Sequence, residues 1–165
     1  MKLRKLMSKD APLMLEWMHN PDVVKDLQAN FKEKTIDDCN LFIENSLIDD
    51  RNIHLAIVDD SDEYLGTVSL KNIEAESAEF AITIRSCAMG KGISKLAMEQ
   101  IIDLGFNDFG LNTIYWCVSP DNVRAVKFYD KNGYKRIDPS DLTISGYSSE
   151  QISKYFWYVV INITE

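Results

Sequence analysis

Residues 78–85 alternate in steps of two. Ala78, Phe80, Ile82 and Ile84 fall on one side, and Glu79, Ala81, Thr83 and Arg85 on the other. That period predicts a strand with one apolar and one mixed face. The period then changes: Ile93, Leu96, Ala97, Met98, Ile101, Ile102 and Leu104 cover most of the circumference of a helix over residues 93–107, which should be well buried against a sheet. Upstream, residues 3–7 read as a short strand. Asp10 is placed to cap a helix carrying Leu13, Met14 and Trp17, with Pro12 in its first turn. His19-Asn20-Pro21-Asp22 breaks that helix, and Val23, Val24 and Leu27 begin another turn or two. Thr35 and Asp38 form a capping-box pattern ahead of Ile36, Cys39, Phe42, Ile43 and Leu47 at helical spacing. Residues 54–59 and 64–73 read as strands about the turn Asp60-Ser61-Asp62, with Gly66 at a bulge. Beyond the long helix come a strand at 113–119, a short helix from Asn122 that stops at Gly133, and strands at 134–137 and 155–163. The order is strands, then strand–helix–strand–helix–strand, which predicts a mixed α/β (α+β) fold on a central sheet. Residues 138–154 are long and polar; a surface loop is the simpler reading, a lid the alternative.

Composition narrows the setting. With 165 residues, 45% of them apolar, the chain can build a core without staples, and residues 1–165 read as a single domain. The start of the chain lacks a signal pattern, and the longest apolar runs are far too short to span a bilayer, so a cytoplasmic protein with no membrane partner is expected. Cys39, Cys87 and Cys117 are an odd, scattered set that fits a reducing compartment better than a disulfide framework. The net charge of −8 disfavours nucleic acid as a partner and suits a cationic substrate. His19 and His54 lack the spacing of a metal site, and no metal is expected.

Three places carry candidate chemistry. Met89-Gly90-Lys91-Gly92-Ile93-Ser94 is a glycine loop opening a helix. Its glycines let backbone approach a ligand, and the free amides and positive end of the helix favour phosphate. It is not a P-loop, which needs G-x-x-x-x-G-K-[ST], and it lacks the third glycine of a dinucleotide fingerprint. A plain strand-to-helix turn is the other reading. Asn122, Ala125 and Tyr129 fall on one helix face; Asn122 suits an N-cap, and Tyr129 is either a proton donor or a core aromatic. Glu79, on the mixed strand face beside small residues, is either a base for an amine or a solvated edge charge. Cys87 and Cys117 have no histidine near them in sequence, and buried inert thiols are the commoner case.

Together these motifs resemble the GNAT superfamily of acyl-CoA N-acyltransferases. Its loop pattern [QR]-x-x-G-x-[GA] stands close to residues 89–94, with Met89 and Ser94 departing from it, and its N-x-x-A-x-x-x-Y helix is matched by Asn122, Ala125 and Tyr129. Residues 17–23, Trp-Met-His-Asn-Pro-Asp-Val, resemble the opening of the branch holding ribosomal-protein alanine, spermidine and amino-sugar acetyltransferases. The resemblance implies a central, mostly antiparallel twisted sheet, flanked by helices, with a V-shaped splay between two adjacent parallel strands. It implies acetyl-CoA as co-substrate, bound by the backbone near Ile82 and Ile84, by Met89, Gly90, Lys91, Gly92, Ile93 and Ser94, and by Asn122, Ala125 and Tyr129. The Met89 amide would serve although its side chain is not the usual donor. Tyr129 would be the general acid and Glu79 the base, with the Ile84 amide polarising the thioester. The partners implied are acetyl-CoA and an amine acceptor, worked on by a monomer or homodimer. The acceptor would be a small amine (an amino sugar or polyamine), or alternatively a protein N-terminus; a non-catalytic CoA-binding relative is the remaining option.

Overall fold

The computed structural model describes residues 1–163. Seven strands form one sheet: β1 (Lys2–Lys5), β2 (Ile53–Val58), β3 (Tyr64–Glu74), β4 (Ser77–Ile84), β5 (Thr113–Val118), β6 (Lys135–Arg136) and β7 (Phe156–Ile161). Their order across the sheet is β1-β2-β3-β4-β5-β7-β6. Every pairing is antiparallel except that of β4 with β5. The helices are α1 (Ala11–Met18), α2 (Pro21–Val24), α3 (Ile36–Ser46), α4 (Ile93–Asn107), α5 (Val123–Lys131) and α6 (Ser149–Lys154). This is the mostly antiparallel sheet with one parallel junction that the resemblance implied, within the mixed α/β class that the order of elements predicts. None of the described helices is long and apolar enough to cross a membrane.

The two faces of the sheet bury separate cores. Ala78 and Phe80 of β4, with Ile114 and Trp116 of β5, pack under α4 and α5. Ala56, Val58 and Tyr64 pack under α1 and α3 with Met14, Trp17, Cys39 and Ile43. The strand alternation at residues 78–84 thus sends Ala78, Phe80, Ile82 and Ile84 to the core under α4 and α5 and the side chains between them to the opposite face. α4 lies close on the sheet at Gly105, where an added Cβ would come within 3.0 Å of both Ile114 and Leu70. It is less enclosed than its sequence suggests. Ala97, Met98, Ile101 and Ile102 are buried, but Leu96 is 47% exposed, because only one face of a helix can meet a single sheet.

Local signals explain most boundaries. Thr35 and Asp38 form the expected capping box, the Thr35 side chain accepting from the Asp38 amide and the Asp38 carboxylate from the Thr35 amide. Asn20 accepts from the Asp22 amide and starts α2. The bulge falls where Gly66 predicted it: Ile57 pairs with Gly66 but Val58 with Tyr64, so Leu65 is the extra residue. Only glycine fits at position 66, since a Cβ there would lie 2.4 Å from the Thr83 carbonyl oxygen. Asp10 does not cap α1 with its side chain. Its carboxylate instead receives both Arg4 terminal nitrogens, at 2.8 and 2.9 Å, and the Met7 amide at 2.8 Å. A paired guanidinium outcompetes a helix amide for a buried carboxylate, because charge-assisted bonds are the stronger. The first strand is Lys2–Lys5, ending before the predicted Met7.

The junction of β4 and β5 is short. Ser77 pairs with Thr113, Ala78 with Ile114 and Glu79 with Tyr115, and there the parallel ladder stops. β4 runs on to Ile84 beside β3, and β5 runs on to Val118 beside β7. Two neighbouring strands that each keep their outer partner while losing one another leave a wedge between them. Arg85 fixes the open end of β4. Its Nε and Nη2 each donate to Glu16 on α1 at 3.0 Å, and its Nη1 donates to Glu63 at 2.7 Å and to the Tyr64 carbonyl at 2.9 Å.

Candidate active site

The wedge offers backbone on its β4 side. Arg85 donates its amide to the Leu65 carbonyl at 2.8 Å. Antiparallel pairs alternate between bonded and non-bonded, so with Thr67 opposite Thr83 and Ser69 opposite Ala81, the amides of odd-numbered β4 residues face β3. Those of Ile82 and Ile84 then face the wedge, where no neighbouring strand takes them up. Their side chains pack against the helix-side core.

The glycine loop lies at the open end of β4, after a 3-10 turn over Ser86–Ala88. Gly90 and Gly92 both have φ of +76°, which L side chains rarely adopt, and nothing lies within 4 Å of where a Cβ would stand on either. The room beside them and the positive φ together describe a backbone surface left bare. The Met89 amide is not part of that surface, contrary to expectation, because it donates to the Ser86 carbonyl at 3.2 Å and closes the preceding turn. Among the described residues, the next amide with such a loop or cap bond is Leu96, onto the Gly92 carbonyl at 3.3 Å. The amides of Ile93 and Ser94 are first-turn donors with no intrahelical acceptor, at the positive end of a fifteen-residue helix. Lys91 is exposed, and Lys95 pairs with Glu99 at 2.5 Å.

On the helix side, α5 is capped by Asn122, whose Oδ1 accepts from the Ala125 amide at 3.2 Å. Ala125 packs against the core. Tyr129 is 8% exposed and sits in an aromatic cluster, with ring centroids 5.2 Å from Trp116, 5.1 Å from Tyr158 and 6.2 Å from Tyr134. Burial, then the neighbouring Tyr158, Cys117 and Tyr134, push its phenol well above the ordinary value, so it holds its proton at neutral pH. Trp116 itself stands one residue past the last β4–β5 pair, its ring 5.4 Å from Phe80 across the junction. The two open readings of Tyr129 are compatible in this geometry, since a phenol can be packed by its ring and still present a protonated oxygen.

Glu79 differs most from its expected setting. It is 3% exposed, not a solvated edge charge, and it occupies the final paired position before the strands part. Tyr147 donates to its Oε1 at 2.5 Å, Asn72 donates to its Oε2 at 3.4 Å, and Lys71 Nζ stands 3.7 Å from Oε1. The cover comes from the segment between β6 and β7, which was expected to be a surface loop. It contains a 3-10 turn at Pro139–Asp141 and α6, and Gly146, with φ of +82°, turns the chain so that Tyr147 reaches the sheet. The Tyr147 ring packs edge-on against Trp157 at 5.4 Å. Cys117 on β5 lies 3.8 Å from the Tyr147 oxygen, and Gln28 donates to the Cys117 sulfur at 3.4 Å. Burial raises the Cys117 thiol, and its contact with Tyr147 opposes that without reversing it, which keeps it a poor nucleophile. The sequence weighs Cys117 only as an inert thiol or a nucleophile, and it does not single out Tyr147 or Gln28; a glycine before an aromatic in a polar stretch is the one local signal for Tyr147. Beside this group, an open cleft of about 370 Å³ is lined by Asn72, Glu74, Glu76, Tyr115 and Thr143, with no lysine or arginine in its lining.

A glycine loop with bare backbone, a wedge between parallel strands, a protonated phenol and a buried carboxylate can serve acyl transfer between a nucleotide-linked thioester and an amine. Residues 1–135 match the family described as acetyltransferase (GNAT) domain. The chain belongs to the GNAT acetyltransferases. It is 27% identical over 136 residues to the acetyltransferase PseH of Campylobacter jejuni, covering 81% of this chain and 82% of that one. It is 29% identical over 140 residues to the spermidine N(1)-acetyltransferase of Escherichia coli, covering 81% and 72%. The crystal structure of spermidine N-acetyltransferase from Vibrio cholerae in complex with CoA and spermine superimposes with a TM-score of 0.79 at 20% identity, over 97% of this chain and 94% of that one, a likeness of fold. As a GNAT member the protein is an acyltransferase that uses acetyl-CoA.

Proposed function

We propose that the protein moves the acetyl group of acetyl-CoA directly onto a primary amine of a small molecule, a polyamine or an amino sugar, with both substrates bound together. The observation that carries this reading is the ending of the β4–β5 ladder at Glu79 and Tyr115, which puts a buried carboxylate at the vertex of a wedge whose open end meets the glycine loop. Acetyl-CoA supplies an activated acetyl thioester. The bare amides of Gly90, Gly92, Ile93 and Ser94 suit its phosphates, and the wedge-facing amides of Ile82 and Ile84 suit its pantetheine amides, as an added strand would. The Ile84 amide is the candidate donor to the thioester carbonyl oxygen. Tyr129, which holds its proton at neutral pH, is the candidate donor to the sulfur as the C–S bond breaks, and the proton shed by the newly acylated nitrogen restores the phenol. Glu79 accepts the proton that the amine must lose.

The name of the Escherichia coli relative, a spermidine N(1)-acetyltransferase, points to a small acceptor, and so does the acidic cleft beside Glu79, whose carboxylates Glu74 and Glu76 face no basic residue in its lining. Incubation with acetyl-CoA and a panel of polyamines, amino sugars and alanine-initiated peptides, with free thiol measured, tests the reading. Turnover with a small amine and little with the peptides is expected. Release of thiol only with peptides, or with no amine at all, would overturn it.

A further inference from the structure

We propose that Tyr147 is a proton relay between the acceptor amine and Glu79. The inference rests on the acetyl-transfer reading and adds a residue to it. The Tyr147 hydroxyl, carried by the segment between β6 and β7, bridges β4 and β5. It donates to Glu79 Oε1 on β4 at 2.5 Å. It lies 3.8 Å from the Cys117 sulfur on β5, which is in turn 3.4 Å from Gln28 beyond α2. Lys71 and Asn72 of β3 flank Glu79 from the other side, and Tyr115 of β5 pairs with it in the ladder. A phenol oxygen has one donor and two acceptor sites. The donor is committed to Glu79. Among the described residues the acceptor side meets only a thiol, at 3.8 Å, a weak donor that an ammonium N–H displaces readily.

With the acceptor's ammonium on that side, two proton movements connect it to the carboxylate. One N–H bond breaks and an O–H forms on Tyr147. The original Tyr147 O–H breaks and an O–H forms on Glu79 Oε1. The amine is left neutral with its electron pair free, Tyr147 is a phenol before and after, and Glu79 becomes a carboxylic acid. Burial first, then the bond to Glu79, raise the Tyr147 phenol far above its ordinary value, so it passes a proton on rather than keeping a charge.

The relay matters only for an acceptor that arrives protonated, and that gives the test. Tyr147→Phe keeps the ring against Trp157 and removes the oxygen. With an acceptor that titrates near 10, as aliphatic amines do, kcat/KM for the amine should fall by about 100-fold. With fluorinated analogues of the same acceptor that titrate near 7, the loss should shrink to about threefold or less. Acetyl-CoA affinity by calorimetry should stay at the wild-type value, while the melting temperature should fall by the same amount whichever amine is assayed, since the buried Glu79 carboxylate loses its closest donor. Tyr147→Phe combined with Glu79→Gln should lose no more than Glu79→Gln alone, since the two act in one path. Wild-type activity in Tyr147→Phe, or an equal loss across the whole amine series, would overturn the relay and leave acetyl transfer standing. A wild-type enzyme that releases no thiol with any amine would overturn the acetyl-transfer reading and the relay with it.

Discussion

The two sides of the wedge are built from different material. Toward the glycine loop the surface is backbone left without partners: two glycines at positive φ with open space where Cβ atoms would be, and first-turn amides of α4 with no intrahelical acceptor. Toward Glu79 the surface is side chains that already satisfy one another, Glu79 with Tyr147, Tyr147 with Cys117, and Cys117 with Gln28. On the proposed function the contrast follows from what each side would hold. A phosphate is the same for every acceptor and needs only fixed N–H groups, which backbone supplies at no rotamer cost. An amine must be selected and deprotonated, which needs titratable groups that keep each other in place until the substrate displaces one of them.

If that division is right, the largest effect should come from charging the backbone side. Gly92→Asp places a carboxylate where phosphate is expected. At an effective dielectric near 20 the repulsion is about 4 kcal/mol at close range, roughly 1000-fold in affinity. Calorimetry with acetyl-CoA checks it, and Gly92→Ala separates charge from strain: alanine meets only the αL cost of about 1–2 kcal/mol. Aspartate tolerates αL better than alanine, so a larger loss with alanine would refute the phosphate cradle. Next in size is Tyr129→Phe, which should lower kcat by about 100-fold with acetyl-CoA affinity unchanged; equal turnover in a thiol-release assay would remove Tyr129 from the chemistry. Gly66→Ala tests whether the end of β4 must be held tightly for the loop to be placed. Its Cβ would collide with the Thr83 carbonyl oxygen, and overpacking of this kind costs about 1–3 kcal/mol, readable in urea unfolding. The smallest effect is expected far from the wedge. Lys9 and Arg4 hold the Asp62 carboxylate down at about 2, so its contribution to stability is complete above the ordinary carboxylate value and lost as pH falls toward 2. Asp62→Asn, which also tolerates the φ of 64° at that position, should flatten the acid limb of the urea midpoint without changing turnover at neutral pH.

How much of this was legible depends on the range of the interaction. The capping box at Thr35 and Asp38, the bulge at Gly66 and the glycine loop before α4 are each set within a few residues, and each reads directly from spacing. Asp10 looked like a cap by the same logic, yet Arg4 takes its carboxylate, a competition no local pattern records. The Met89 amide looked available until the Ser86 carbonyl claimed it.

The sequence by itself determined the order of elements, the two-residue alternation of β4, the glycine loop that opens α4 and the Asn122–Ala125–Tyr129 helix, because backbone sterics and helical period act over short stretches of chain. Only the tertiary structure decided that the parallel ladder stops at Glu79, and that Glu79 is buried beneath Tyr147, 68 residues away. Whether a strand carboxylate meets water or a phenol is fixed by which segment is free to fold over it, and that depends on how the whole sheet is packed.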